Sequence, residues 1–391
     1  MDKYNFDKEF DRRYTNAEKW KNIPEDCISM TVADMDFPLA PEIVQGVKDS
    51  LDMGDFGYVS MTDRDYNAVI DWCKKIHGYT IDREALISTP GVLYAMRSIM
   101  YTLTKPGDKV IVQTPLHTPS IASAAMQGRI PVHNNLIYGA DGKYTFDLGG
   151  LEKCLADGAK VLMMCSPNNP TGRVWTREEL TAVSELIIKY DAFVVIDEIH
   201  RDIIWSPNKH VFMAELPGMK DRVASVFSTS KTFNMGGFHI GSAEIPNKDV
   251  REAVVKQLYS FGFSCGRPPL TCIAAQTAAY EKGEEWYREM MAYVDNNINL
   301  VIDYLKDTPI KAQRPEGSFL IWADISELNL NNETFDEICK NKWKAFFDPG
   351  HYYLTADYKN YVGPEQHFRI NTATQRSRIE AVMERIRASF K

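Results

Sequence analysis

Three polar groups in this chain each follow a short apolar run, and their types make a chemical set. Val161–Cys165 leads into Ser166-Pro167-Asn168-Asn169-Pro170-Thr171-Gly172. Residues 192–196 lead into Asp197-Glu198-Ile199-His200, and Val223–Phe227 leads into Ser228-Thr229-Ser230-Lys231-Thr232-Phe233-Asn234. The set is an amide, a carboxylate and an amine. Pyridoxal phosphate (PLP) asks for these three: a lysine for the Schiff base, an anion at the pyridine nitrogen and a donor at the ring phenolate. Each group also has an ordinary reading when taken alone. A lone lysine is usually a surface residue, Asn-Pro-Thr-Gly is a turn signal, and an aspartate beyond a strand can be tied by backbone amides. But a carboxylate at a buried strand end is costly unless a cation or several donors meet it, and a protonated pyridine nitrogen is such a cation. Asp197 would keep that ring protonated as an electron sink, while Lys231 moves the substrate Cα proton as general base.

Other residues extend the set. Gly91-Val92-Leu93, after Ser88-Thr89-Pro90, reads as a tight turn opening a helix through Met96, Ile99 and Met100. Free amides and the positive dipole end would hold the cofactor phosphate there, with Ser228 and Ser230 as hydroxyl donors. Arg369, in His367-Phe368-Arg369-Ile370-Asn371, would grip a substrate carboxylate through two parallel hydrogen bonds, although a lone arginine in a strand is more often on the surface. An apolar strand ending in Asp-Glu-Ile-His also suits the Mg²⁺-binding strand of a nucleotide-driven helicase. That chemistry needs a G-x-x-x-x-G-K-[ST] loop. The Gly142-Lys143 pair is followed by Tyr144 and has Ile137 at the first glycine position, so the ATPase reading fails.

Residues brought together from distant positions need a scaffold that ends several strands at one place. Residues 109–113 read as a strand that stops at Thr114-Pro115. Thr176-Arg177-Glu178-Glu179 is a capping box at a helix start, and Leu180, Val183, Leu186 and Ile187 fall on one helix face. Residues 192–196 are continuously apolar, as in a strand covered on both faces. This succession predicts an α/β fold with a mostly parallel sheet and helices on both faces, in which ligands bind beyond the carboxyl ends of the strands. Near residue 286 the pattern changes to a long amphipathic helix over 286–305, strands at 319–323 and 368–370, and a terminal helix over 379–390. The expected division is a segment at 1–45, a large cofactor-binding domain at 46–285 and a smaller α+β domain at 286–391.

Composition narrows the partners. The excess of 53 acidic over 45 basic residues leaves a net charge of −8, which argues against nucleic acid or an anionic membrane. No apolar run approaches the roughly 18 residues of a membrane helix. Residues 1–8 are charged and lack an apolar core, so no signal peptide is expected. Seven scattered cysteines without a C-x-x-C pair fit a reduced cytoplasm and indicate neither a disulfide framework nor a metal site.

Taken together, these residues resemble the fold-type I PLP superfamily, which has the aspartate aminotransferase fold. Within it they are most similar to the MalY/PatB group of cystathionine β-lyase-like C–S lyases, over almost the whole chain. The strings that carry the resemblance are Thr15-Asn16-Ala17-Glu18-Lys19-Trp20, Val32-Ala33-Asp34-Met35-Asp36-Phe37, Phe56-Gly57-Tyr58, the Asn169, Asp197 and Lys231 motifs, and Pro315-Glu316-Gly317-Ser318-Phe319. The resemblance implies Lys231 as the Schiff-base lysine, Asp197 at the pyridine nitrogen, Asn169 at the phenolate and Arg369 at the substrate α-carboxylate. It adds His200 to the cofactor set and Asp34 to the substrate-facing set. Tyr58 would reach the phosphate of a neighbouring subunit, which implies a homodimer with shared sites, and the segment 1–45 would pack with the small domain and the partner. The chain also departs from the group. His117 stands where a tyrosine usually stacks on the cofactor ring, Thr31 replaces a tryptophan and would widen the cavity mouth, and His239 stands where many aminotransferases carry an arginine. The implied reaction is α,β-elimination on an L-amino acid with sulfur at Cβ, giving a thiol, pyruvate and ammonia. An aminotransferase uses the same residues and is the alternative. A non-catalytic PLP-binding protein is disfavoured by the intact Lys231, Asp197 and Asn169 and by the lack of a fused DNA-binding segment.

Overall fold

The computed structural model describes residues 3–354 and 366–391. Its main sheet has seven strands in the spatial order Leu86–Thr89, Gly241–Glu244, Val223–Phe227, Phe193–Asp197, Val161–Cys165, Lys109–Thr114, Ile130–Asn135. Gly241–Glu244 runs antiparallel to both neighbours and the remaining pairs are parallel. The central strands are buried along their whole length, which explains their continuous apolar sequence. Successive side chains still part to opposite faces. Val110, Val112, Val161, Met163 and Val195 join a core with Met96, Ile99 and Leu258. Ile111, Leu162, Met164, Val194 and Ile196 join another with Leu151, Leu180, Val183 and Ile187. Helices therefore cover both faces, as the alternating pattern predicts.

A second, antiparallel sheet is built from Lys311–Ala312, Leu320–Asp324, His367–Asn371 and Asp348–Pro349, in that order. The long helix Glu284–Leu305 supplies Val294, Ile298, Val301 and Leu305, and the terminal helix Arg376–Ala388 supplies Ile379, Val382, Met383 and Ile386, to one core with this sheet. The first helix begins two residues before the apolar stripe and the second three residues before it, because the stripe marks the buried face and leaves the polar first turn unmarked.

The amino-terminal segment is sewn to the carboxyl-terminal part. Ile28–Ser29 pairs in parallel with Ala345–Phe346. Asp36 is buried and accepts from Lys19 Nζ at 2.7 Å and from Trp20 Nε1 at 2.8 Å. Two members of the Thr15–Trp20 and Val32–Phe37 strings thus meet as a buried, fully partnered ion pair, which holds the chain entering the site. Among the described residues, no helix is long and apolar enough to cross a membrane.

Candidate active site

Register brings the three strand ends level. Cys165 lies opposite Asp197, and Asp197 opposite Val226. After Cys165 the chain turns so that Asn168 accepts the Gly172 amide at 2.8 Å. Gly172 has φ +72°, and a Cβ there would sit 2.7 Å from Pro315 Cβ; only glycine serves both demands. Glu316 locks this loop by accepting from Arg173 Nε at 2.8 Å and from the Val174 amide at 3.0 Å. The strings around Asn169 and Glu316 are therefore one packed unit.

Lys231 sits on the one-turn helix Thr229–Thr232, capped by Ser228, whose Oγ accepts the Ser230 amide at 3.1 Å. Thr232 Oγ1 donates to the buried Asp202 at 2.7 Å. Asn234, at φ +57°, bonds the backbone of Met35 and Phe37 through its side chain. These bonds fix the turn against the Val32–Phe37 stretch, and Lys231 Nζ donates to the Ala33 carbonyl at 2.5 Å.

These elements enclose a cavity of about 790 Å³. Lys231, Asp197, Asn169 and Arg369 line it, as do Gly91, Val92 and Leu93, His117 and His200, and Ser228 and Ser230. Two expected residues do not. The Asp34 carboxylate is taken up by Arg12 Nη2 at 2.6 Å, although its charge still favours the protonated form of Lys231. Tyr58 is fully exposed and lies outside this chain's own cavity. Thr31 is also outside the cavity lining, hydrogen-bonded to Ser29 at 2.9 Å. Ser228 lines the cavity, but its hydroxyl donates to the Ile240 carbonyl at 2.6 Å and is not free for a phosphate. Among the described residues, no hydrogen bond takes up the Ser230 hydroxyl.

The electrostatics are those of a dry site. Burial pushes the Asp197 carboxyl up to about 7, against the opposing effects of the Ile199 amide, 3.0 Å from Oδ1, and of Lys231. Burial lowers the Lys231 amine, with Asp34 and Asp197 opposing and Arg369 assisting. Burial, with Arg369 and Lys231 nearby, lowers His117 to about 3, and burial puts His200 well below the usual imidazole range. Both rings are neutral, and among the described residues neither nitrogen of His200 has a hydrogen-bond partner. Arg369 donates through Nη1 to Asn169 Oδ1 at 2.8 Å and through Nη2 to Asp348 Oδ2 at 2.5 Å. With its oxygen so engaged, Asn169 has its Nδ2 left as a donor. The helix Val92–Leu103 starts at Gly91, at φ +100°, with no side chain capping it.

These residues fit PLP. Asp197 is a buried carboxylate with no ion-pair partner among the described residues, which a pyridinium nitrogen would relieve. The uncapped helix start and Ser230 suit a phosphate, and the Asn169 amide suits a phenolate. Asp348, His351, Tyr352 and Tyr353 also line the cavity, and the sequence does not mark them as site residues. Their signal is weak: Phe346-Phe347-Asp348-Pro349-Gly350 reads as a turn, and nothing in it announces that Asp348 lies opposite Arg369.

The aminotransferase class I and II family model matches residues 25–386. The chain belongs to this family. The chain is 33% identical to cystathionine beta-lyase PatB of Bacillus subtilis (strain 168), over 99% of this chain and 100% of that protein. Cystalysin from Treponema denticola, solved with a pyridoxal 5'-phosphate cofactor, superimposes with a TM-score of 0.92 at 30% identity, covering 99% of this chain and 98% of that one. The PLP-bound C–S lyase from Staphylococcus hominis gives a TM-score of 0.89 at 28% identity, over 99% of each chain. The family is the fold-type I PLP superfamily expected from the sequence, and these relatives are the C–S lyases to which the sequence motifs pointed.

Proposed function

We propose that this chain is a PLP-dependent carbon–sulfur β-lyase acting on L-cystathionine or a related S-substituted L-cysteine. The observation that carries this reading is the convergence of Lys231, Asp197, Asn169 and Arg369 in one cavity. The full-length similarity to a cystathionine beta-lyase supports the choice of reaction. When bound, PLP supplies the electron sink that makes a Cα proton removable and a Cβ substituent expellable.

The chain's own residues do the rest. Arg369 takes the substrate α-carboxylate and fixes the Cα–H bond relative to Lys231. Lys231 would hold the cofactor, and its free Nζ would take the Cα proton. Its lowered pKa leaves more of the amine unprotonated and able to accept that proton. Asp197 would hold the pyridine nitrogen protonated, Asn169 would donate to the phenolate, and the Gly91, Val92 and Leu93 turn with Ser230 would hold the phosphate. The neutral ring of His117, which lines the same cavity, would suit the cofactor face, where a charged imidazolium would repel a protonated pyridine. His200 would add a second neutral ring to the cofactor's surroundings. Loss of the proton from Cα and of thiolate from Cβ leaves an unsaturated amine, which water converts to pyruvate and ammonia.

Tyr58 reaches the phosphate of a neighbouring copy, which makes the working unit a homodimer. All seven cysteines are unpaired, which suits a cytoplasmic enzyme. The alternative is an aminotransferase, the activity for which the family is named. Thiol and pyruvate released in equal amounts from L-cystathionine support the lyase. Transfer of the amino group to a 2-oxo acid without thiol release identifies the transaminase.

A further inference from the structure

Arg369 does not face the cavity as a free cation. Its strand His367–Asn371 pairs with Asp348–Pro349, and the register sets Asp348 directly opposite Arg369. The ion pair closes at 2.5 Å, with the arginine side chain 5% exposed and the aspartate 14%. Asp348 Oδ2 also accepts the Val32 amide at 2.9 Å. Val32 has φ +49°, a left-handed conformation costly for a β-branched residue, and this bond helps hold it. Both structural bonds end on the same oxygen. Among the described residues, Oδ1 has no hydrogen bond, and it is not among the sealed-off polar atoms of the interior. Asp348 and Arg369 both line the cavity. An asparagine carbonyl would accept the same two hydrogen bonds, so what the aspartate adds is a negative charge beside the carboxylate-binding arginine.

We propose that Asp348 sets the charge selectivity of the site. It neutralises much of the Arg369 charge, so the pair offers a single α-carboxylate a hydrogen-bonding fork with little surplus attraction. A second carboxylate with no ammonium beside it meets the Asp348 charge in a partly dry cavity and is repelled. A neutral side chain, or one ending in a donor such as an ammonium, is accepted, with Oδ1 available to receive it. The favoured class is therefore L-amino acids whose side chains carry no net negative charge; L-cystathionine, whose distal ammonium offsets its distal carboxylate, belongs to it, and amino acids with a lone side-chain carboxylate are disfavoured. This inference rests on Arg369 as the α-carboxylate partner.

The test uses the PLP-loaded enzyme with two unreactive probes, propionate and succinate, titrated calorimetrically. Asp348→Asn is expected to tighten succinate by about ten-fold and propionate by about three-fold, the scale of one like-charge contact in a semi-polar site. The variant should keep its melting temperature, because the asparagine carbonyl can accept the same two hydrogen bonds. Equal dissociation constants in wild type and Asp348→Asn would overturn the proposal. Arg369→Gln separates the two layers. Weaker binding of both probes there keeps the arginine reading, whatever Asp348→Asn does. Unchanged binding there removes that reading and the selectivity argument with it.

Discussion

The chemistry turns on carboxylates and amines kept from water, and Asp197 makes the sharpest case. In the folded, cofactor-free chain burial raises it from 3.8 to about 7. The folded state then holds a proton more tightly than the unfolded state, so the contribution of Asp197 to stability is full below roughly pH 4 and is lost as pH rises through about 7. The difference in stability between cofactor-free wild type and Asp197→Asn should therefore shift against the wild type from pH 5 to pH 8. Urea midpoints at several pH values check this, and a difference that stays flat would contradict it. Adding PLP should restore the wild type at high pH and not the variant, because only a carboxylate gains from a cation at the ring nitrogen. Asp197, Asn169 and Lys231 were legible from type and position alone, since each follows an apolar run whose burial makes a polar terminus costly. Asp348 was not, because its role comes from a cross-strand register, and a sequence does not display which residue lies opposite which. Ser228 was legible as a hydroxyl near the site, but its bond to the Ile240 carbonyl depends on a loop folding back.

The elements that carry these residues are held by local devices, most of them readable in advance. Thr176 Oγ1 accepts the Glu179 amide at 3.2 Å, and Glu179 returns the bond to the Thr176 amide at 2.9 Å. The same Glu179 pairs with Arg173, which is tied to Glu316 across the Asn169 loop. Thr176→Ala should lower stability by about 1 kcal/mol and leave kcat unchanged, because Glu179 keeps its arginine. Chemical denaturation and steady-state rates check this, and a rate loss without a stability loss would contradict it. The strands Val161–Cys165 and Val223–Phe227 fall where the apolar runs predict, while Leu320–Asp324 and His367–Asn371 shift by about a residue. Gly241–Glu244 escaped notice altogether. It is four small or polar residues with no apolar run, and it is a strand because it fits between two others: a Cβ on Gly241 would lie 3.1 Å from Gly91 Cα. Close approach of two backbones is a tertiary fact, and it is also what brings the Gly91 turn to the cavity.

At the scale of the whole molecule, one chain encloses a cavity yet leaves Met53, Phe56 and Tyr58 on the surface at 73%, 68% and 105% exposure. Large apolar side chains grouped like this mark an interface. The expectation is a dimer in sedimentation, twice the 44.6 kDa chain, with Tyr58 completing the partner's phosphate site. Tyr58→Ala and Lys231→Ala proteins should each be poorly active, and mixing them should restore turnover, because one site of each mixed dimer has both residues. A monomer, or mixtures with no gain, would contradict this arrangement. The central claim is the reaction itself, and pyruvate release from L-cystathionine by the PLP-saturated enzyme tests it most directly, with Lys231→Ala as the blank. The account predicts sustained release matched by thiol and absent from the blank. A wild-type protein that binds PLP and yields no pyruvate, or a Lys231→Ala protein that yields it at the same rate, would contradict the account.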